Sequence, residues 1–191
     1  MKLQSKISLT LFALVCAGFL YSCDGIKDNA KTEIKAGTVS IDLDVPVDST
    51  IAKTDENRFV ARQTINLSDI KGLSEEALKH KDKIESLTIG NNTSITITVT
   101  DGPGTYVKRF KMSEMMSANS VKGDLQIVQY ELGNTHIFSN SDKNLVERWL
   151  TNLFLNGSIT LDILGYTDVP SGENLKVKIT IDDLRLIAAL L

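Results

Sequence analysis

Two pairs of carboxylates have the residue types and spacing that could act on a substrate. Asp42 and Asp44 are separated by one residue in an alternating segment. This spacing would place both on one face of a strand, about 7 Å apart. A glycosidase uses two acids at such a separation when a sugar cleft surrounds them. Asp182 and Asp183 form the second pair. We interpret Asp42 and Asp44 as part of a solvated strand face.

The same acidic segment has part of the spacing of a calcium loop. Asp42, Asp44 and Asp48 could supply oxygen ligands, but Pro46 occupies a ligand position and the loop glycine is absent. The sequence also lacks a Gly-x-Ser-x-Gly nucleophile motif, a glycine-rich phosphate loop and a His-Glu-x-x-His motif. We therefore predict no catalytic residue, no metal site and no cofactor.

Six other side chains could bind a ligand, but none of them is in a pattern that requires one. His80 and His136 show no spacing to a carboxylate that is typical of a metal site. His80 follows Lys79 in a lysine-rich segment, which predicts an exposed helical residue. Trp149 lies within an apolar helical stripe and is predicted to pack in the core. Core packing is also predicted for the methionine cluster, Met112, Met115 and Met116.

The two cysteines lie in an N-terminal segment that is typical of exported proteins. Lys2 and Lys6 precede an uncharged run of about fourteen residues, which is too short for a comfortable transmembrane helix. Cys16 lies inside this run, and Leu20-Tyr21-Ser22-Cys23 ends it. This ending resembles the lipobox of bacterial lipoproteins, with Tyr21 as a bulky departure at the most tolerant position.

The resemblance covers residues 1–23 alone and implies three modifications. These are diacylglycerol on the Cys23 sulfur, cleavage before Cys23, and acylation of the new amine by a chain such as palmitate. Two or three acyl chains anchor a protein firmly in a membrane. An ordinary cleaved signal peptide and an uncleaved anchor remain as alternatives, with Cys23 incidental. The lipobox implies a cell-envelope location, which we expect to be the outer membrane, facing the periplasm or the surface. Asp24, which follows the cysteine, leaves retention at the inner membrane open.

Length and charge limit the class of protein. Removal of residues 1–22 from the 191-residue chain would leave 169 residues, enough for one domain with a core. Without Lys2 and Lys6, 19 of the 21 basic side chains remain against 24 acidic ones, a net charge of −5. This balance argues against a nucleic-acid partner. We predict a signal peptide over residues 1–22, a lipidated cysteine and flexible tether over 23–37, and one β-rich domain over 38–191.

Alternating apolar residues predict most of the strands. Val39–Val45 alternates strictly, and Pro46 is expected to end this strand or place it at a sheet edge. The segments around Gly90-Asn91-Asn92 have a hairpin pattern. The charged strand Tyr106–Met112 suits a solvated edge. Gly165 is expected to bend a later strand.

Two helices are predicted between the strands. The first has Ser74 as its N-cap and ends near Lys83. The second has Ser141 as its N-cap and ends at Asn156-Gly157. Its apolar stripe would face the core and consists of Leu145, Val146, Trp149, Leu150, Leu153 and Phe154.

This order of elements predicts a mainly β fold. Roughly nine alternating strands favour antiparallel pairing with one covered face. The predicted architecture is an antiparallel two-layer β-sandwich with two short inserted helices. The alternative is an α+β curved sheet or half-barrel with a helix on one face.

Three functional hypotheses follow. The first is a membrane-anchored, non-enzymatic binding or accessory module that acts through cell-envelope protein partners, and it predicts an exposed apolar patch or a free strand edge. The second is a carrier of a lipid or other apolar ligand, which predicts an enclosed apolar pocket. The third is a hydrolase, which predicts a cleft around Asp42 and Asp44. The first is our main interpretation.

Overall fold

The computed structural model describes residues 31–48, 57–99, 102–115 and 123–189. These residues form nine β-strands and two α-helices. The strands are β1 (Lys31–Asp48), β2 (Asn57–Asn66), β3 (Ile84–Thr88), β4 (Ser94–Val99), β5 (Tyr106–Glu114), β6 (Asp124–Glu131), β7 (Thr135–Ile137), β8 (Ser158–Thr167) and β9 (Asn174–Ala189). The helices are α1 (Glu75–Lys79) and α2 (Asn140–Asn156).

All of these strands belong to one antiparallel sheet. Their order is β6-β5-β8-β2-β1-β9-β4-β7, and β3 also pairs with β9. The sheet curls into a half-barrel that carries the two helices. The predicted mainly β, antiparallel fold with two short helices is therefore confirmed, in the half-barrel form of the stated alternative.

Strand β1 joins the two halves of the sheet because it changes partner along its length. Its pairing with β9 runs from Lys31 opposite Ala189 to Pro46 opposite Asn174. Val47 then pairs with Phe59 of β2. The prediction that Pro46 ends the strand or lies at an edge is wrong. Proline lacks an N–H group, and it is accommodated here where one hydrogen-bond ladder gives way to the next.

The beginning of β1 corrects the predicted tether. Residues 31–37, which were expected to be flexible, lie in β1 and pair with β9. Ile34 is buried, and ion pairs join Lys31 to Glu85 and Glu33 to Arg185. Alternation of apolar residues is weak in this segment, so no local pattern indicates the ladder that β9 supplies. The domain extends at least to Lys31, and residues 23–30 lie outside the described ranges.

A bulge interrupts the long pairing of β1 with β9. Gly37 has a φ of 75° and Asp183 a φ of 44°, and Thr38 lies opposite both Asp182 and Asp183. The Asp182 carbonyl accepts a hydrogen bond from the backbone N–H of Gly90, 2.5 Å away. The bulge thus binds the connection between β3 and β4.

The predicted hairpin at Gly90-Asn91-Asn92 is wrong. Strands β3 and β4 do not pair with each other, and both pair with β9 along the same edge. The Asp182 carboxylate accepts from the Asn92 N–H at 3.4 Å, and the Asp182 N–H donates to the Thr93 hydroxyl at 3.1 Å. These contacts fold the connection onto β9, which separates the two strands.

Strand β5 is not at an edge, contrary to the prediction. It lies between β6 and β8, and β6 is the outermost strand of this half of the sheet. The charged residues Lys108, Arg109 and Lys111 project from the outer face of an interior strand. An interior strand whose outer face is solvated accommodates charged side chains, just as an edge strand does.

The helices follow the sequence except at their ends. The Ser74 hydroxyl accepts from the Ala77 N–H at 3.2 Å, which confirms the first N-cap. Helix α1 stops at Lys79, and a 3-10 turn over Lys81–Lys83 takes the place of its predicted last turn. The N-cap of α2 is Ser139, not Ser141.

Helix α2 covers the open side of the half-barrel. It packs against β3, β8 and β6, which lie in both halves of the sheet. All six residues of the predicted apolar stripe are buried. Gly157 has a φ of 75° and closes the helix in the left-handed conformation, as predicted. The half-barrel is therefore filled by the inner faces of the strands and by one helix face.

Candidate interaction surface

Asp42 and Asp44 lie on the exposed outer face of β1. Their cross-strand neighbours on β9 are Lys178 and Lys176. Asp42 also forms an ion pair with Lys71 at 2.5 Å. The predicted solvated strand face is confirmed, because both carboxylates are exposed beside lysines.

A groove of about 370 Å³ runs along this face between the acids and the neighbouring strands. Lysines and threonines line its other side, including Thr96 and Thr98. Opposite charges placed directly across neighbouring strands stabilise a sheet. The arrangement is therefore that of a charge ladder on a sheet surface.

The second acidic pair, Asp182 and Asp183, stabilises the backbone of the sheet. Asp182 holds the connection between β3 and β4, as described above. Asp183 lies in the bulge and accepts two hydrogen bonds from Arg185, at 2.7 and 3.0 Å. Hydrogen bonding to Arg185 lowers the pKa of Asp183, and the positive charges of Arg185 and Lys35 act in the same direction.

The two histidines lie on different elements. His80 ends α1 and its Nε2 lies 2.9 Å from the Glu76 carboxylate. Its side chain is 19% exposed, which corrects the prediction of an exposed helical residue. His136 lies on β7 in edge contact with Phe138, with ring centroids 6.4 Å apart. Within the described ranges, no group of three or more His, Cys, Asp or Glu side chains could hold a metal ion.

The predicted core residues are partly confirmed. Trp149 is 3% exposed and Met112 is fully buried. Met115 is 52% exposed, so its prediction is wrong. It follows the last residue of β5, beyond the alternation that turns Met112 inward. Met116 and the predicted lipid-attachment residue Cys23 lie outside the described residues.

The residues that stand out in the structure lie on the outer face of β2, β8, β5 and β6. Cross-strand pairing aligns Arg58, Tyr166, Lys108 and Gln129 in one row. The next outward-facing row contains Val60, Leu164, Lys111 and Gln126. Between the rows lie Arg109 of β5 and Val128 of β6. We use the term bulge patch for Arg58, Val60, Arg109, Val128, Leu164 and Tyr166.

A β-bulge in β5 creates this patch. Between Lys108 and Lys111, β5 has one more residue than the facing segment of β8. Arg109 absorbs the difference with a φ of 50°, a left-handed conformation that is uncommon outside glycine. Its side chain is exposed, whereas the next residue, Phe110, is fully buried.

Gly165 on β8 makes room for the bulge. Strand β8 continues past Gly165, where a bend was predicted, to Thr167. A Cβ atom at Gly165 would lie 2.5 Å from Cζ of Phe59 and 3.1 Å from the Lys108 carbonyl oxygen. The Phe59 ring thus occupies the space beside Gly165 and packs against Phe110, with centroids 6.3 Å apart.

The apolar members of the bulge patch are unusually accessible for valines in a sheet. Val128 is 82% exposed and Val60 is 52% exposed. A groove of about 300 Å³ lies beside Val128, and Arg109, Val128 and Leu164 contribute to its lining. Exposed apolar residues that cluster rather than scatter are a property of interaction sites.

The patch is also positively charged. The Arg109 guanidinium lies 5.9 Å from the centroid of Tyr166, and Arg58 is the cross-strand neighbour of Tyr166. Among the described residues, no carboxylate forms an ion pair with Arg58 or Arg109.

The carboxylates on this half of the sheet have other partners. Asp162 binds Arg62 at 2.7 Å, and Asp124 binds Lys111 at 2.7 Å. The patch therefore joins accessible apolar surface to two guanidinium groups that form no ion pair among the described residues, with Asp48 as the cross-strand neighbour of Arg58.

Sequence reasoning identified the cations of β5 but not the patch. Val128 occupies an ordinary apolar position in a predicted strand, and its exposure depends on the bulge that faces it. The one local signal is the pair of adjacent apolar residues Ile127-Val128. Side chains alternate between the two faces of a strand, so a strand with one buried face can bury only one residue of this pair.

Comparisons with protein families, with curated proteins and with solved structures find no match. In the part of the chain that the structure describes, no helix is long and apolar enough to cross a membrane.

Proposed function

We propose that this chain is a lipid-anchored protein of the cell envelope, and that its β-rich domain is a non-enzymatic binding module that acts through protein partners. The observation that carries the binding role is the bulge patch, where Val60 and Val128 are exposed on the outer face of the sheet. The lipobox resemblance at Cys23 supports the anchor.

The position of the patch favours a partner outside the membrane. Seven residues, 24–30, separate Cys23 from Lys31, and a chain of that length spans at most about 25 Å. Lys31 begins β1, and Arg58 of the patch pairs with Asp48 at its other end. An anchor at Cys23 would hold the Lys31 end near the bilayer and place the patch toward the opposite end of β1.

The interior of the half-barrel gives the carrier alternative no comparable support. That alternative predicts an enclosed apolar pocket. The large side chains Phe59, Phe110 and Met112 are instead fully buried in one continuous core. The binding module therefore remains the better-supported proposal.

The anchor is tested by the intact mass of the protein from its native membrane. We expect loss of residues 1–22 and the added mass of acyl chains. A Cys23→Ala variant should be neither processed nor acylated. A native protein that is cleaved but not acylated would contradict the anchor.

The binding role is tested by a photo-crosslinking residue at Val128 in native membranes. The matched control places the same residue at Lys176, which is exposed on β9 in the other half of the sheet. We expect a discrete protein adduct from position 128 and none of that mass from position 176. No protein adduct from position 128, or the same adducts from both positions, would contradict the proposal.

A further inference from the structure

We infer that the bulge patch binds an acidic, apolar segment of a partner protein, with two carboxylates held about 10 Å apart. The inference deepens the proposed function and rests on it. It assigns the chemistry of the partner from the charges, exposure and strand spacing of the patch.

Charge complementarity defines the first property of the partner. Arg58 and Arg109 form no ion pair among the described residues, although Asp48 is the cross-strand neighbour of Arg58, whereas Arg62 and Lys111 on the same outer face each form one. Guanidinium groups bind carboxylates in a planar, two-bonded geometry. Because the whole chain has a net charge of −3, an acidic segment is repelled by most of the molecule and attracted by this patch.

Exposed aliphatic surface defines the second property. Val60 lies beside the half-buried Leu164 of the neighbouring strand, and Leu164 and Val128 contribute to the lining of the groove of about 300 Å³. This volume suits a few small aliphatic side chains rather than a large ring system. A bound segment would cover the valines while its carboxylates reach the arginines.

Strand spacing defines the separation of the two carboxylates. Arg58 lies on β2 and Arg109 on β5, and β8 separates these strands. Two strand spacings amount to about 9.6 Å. In a polyproline II segment, residues i and i+3 share one side and lie about 9.3 Å apart. A segment that crosses the strands with acidic residues three apart would therefore match both arginines.

A probe peptide of this design is Glu-Val-Pro-Glu-Val-Pro-Glu-Val, labelled with fluorescein. Its binding to the processed, full-length protein in an uncharged detergent is measured by fluorescence anisotropy. The matched peptide has lysine in place of each glutamate. We expect the acidic peptide to bind at least tenfold more tightly than the lysine peptide, and its affinity to fall as salt is raised.

The protein variants locate the binding site. The double variant Arg58→Gln/Arg109→Gln should bind the acidic peptide at least fivefold more weakly. Lys176→Gln/Lys178→Gln removes the same charge from the other half of the sheet and should change the affinity less than twofold. Both variants are checked for native melting temperature.

Three outcomes would overturn the inference. One is equal binding of the two peptides, and another is an equal loss of affinity in both double variants. The third is contact of the patch with the bilayer. This contact is detected by quenching of a fluorophore on Val128→Cys when the protein is anchored in vesicles of brominated phosphatidylglycerol. Failure of the peptide experiment together with a protein adduct at position 128 would remove the acidic chemistry and leave the proposed binding role intact.

Discussion

Gly165 shows how one missing side chain shapes the outer face of the sheet. The space that a Cβ atom would need is filled by the edge of the Phe59 ring and by the Lys108 carbonyl of the bulge. The bulge in turn exposes Arg109 while Phe110 stays in the core. A residue without a side chain thus supports the geometry of the candidate binding surface.

Gly165→Ala should destabilise the protein, because the new methyl group would lie 2.5 Å from Phe59 Cζ. Overpacking of this kind costs about 1–3 kcal/mol, measured by urea denaturation. In a Phe59→Leu background the additional cost should be smaller, because the ring edge is gone. Equal costs in the two backgrounds would contradict this account of the packing.

Asp168 is a second residue that positions a distant part of the chain, the start of β5. Its carboxylate accepts hydrogen bonds from the Thr105 N–H, the Thr105 hydroxyl and the Tyr106 N–H, at 2.5–3.0 Å. Partial burial raises the pKa of Asp168, but these hydrogen bonds outweigh burial and the pKa lies below its ordinary value. The ionised carboxylate therefore fixes the start of β5.

The lowered pKa predicts acid sensitivity. The stabilisation is present above the unfolded-state pKa of 3.8 and is lost as the pH falls through the lower folded-state pKa. Asp168→Asn should cost about 1 kcal/mol at pH 7, because the exposed Thr105 N–H and the half-buried Tyr106 N–H lose an ionised acceptor. Its stability should then fall less than that of the native protein between pH 5 and pH 2. Asp44→Asn, at an exposed position opposite Lys176, is the control and should cost less than about 0.5 kcal/mol.

The roles of single residues were predictable where they depend on sequence neighbours alone. The exposure of Asp42 and Asp44 followed from alternation along one strand. Asp168 was not predictable, because its partner Thr105 is 63 residues away in sequence. The accessibility of Val128 likewise depends on a bulge in another strand.

At the scale of elements, the start of α2 distinguishes two neighbouring serines. The Ser139 hydroxyl accepts from the Asp142 N–H at 3.3 Å, and the Asp142 carboxylate accepts from the Ser139 N–H at 3.1 Å. This reciprocal pair is a capping box. The spacing Ser139-x-x-Asp142 is visible in the sequence, but Ser141 lies closer to the apolar stripe and was assigned in its place.

Ser139→Ala should cost about 1 kcal/mol of unfolding free energy, because it leaves N-terminal N–H groups of α2 without acceptors. Ser141→Ala is the matched control and should cost much less, since Ser141 is exposed in the first turn. Thermal unfolding followed by circular dichroism measures both. The reverse order of the two effects would support Ser141 as the N-cap.

The first half of β1 gives a second comparison at this scale. Ile34 is 7% exposed and lies opposite Leu186 of β9. Ile34→Ala should cost about 2–4 kcal/mol in urea denaturation, because it removes buried methyl groups. Lys35→Ala, at the neighbouring exposed position, should cost less than about 0.5 kcal/mol. A small effect at both positions would mean that residues 31–37 form a tether.

Elements with strong local periodicity were predictable, and strand partners were not. The stripe of α2 and the alternation of β9 are complete within single segments. The pairing of β3 and β4 with β9, rather than with each other, depends on backbone contacts of Asp182 about 90 residues away. No local pattern in the sequence contains that information.

At the scale of the molecule, the pairing of β1 with β9 forms a long ribbon. It runs from Lys31 opposite Ala189 to Pro46 opposite Asn174. Fifteen residue steps at about 3.3 Å give a contour of roughly 50 Å before twist and bulges shorten it. If Cys23 carries the anchor, one end of the ribbon lies near the bilayer and the other end lies far from it.

A fluorophore attached to Glu85→Cys should therefore be quenched more strongly by spin-labelled lipids than one attached to Ser171→Cys. Glu85 forms an ion pair with Lys31 at the near end, and Ser171 precedes β9 at the far end. With Cys23 acylated and Cys16 removed, the introduced thiol is the single site for the label. Equal quenching at both positions would contradict the upright orientation.

The central position of β9 has a consequence for synthesis and export. Three strands, β1, β3 and β4, pair with β9, and all of them precede it in the chain. While a ribosome or a translocation channel still holds residues 174–189, each of these strands lacks a partner that it needs. Sheets that depend on such distant pairings form slowly and late. If the chain is exported as we propose, this order of strands delays completion of the sheet around β9 until residues 174–189 have left the channel.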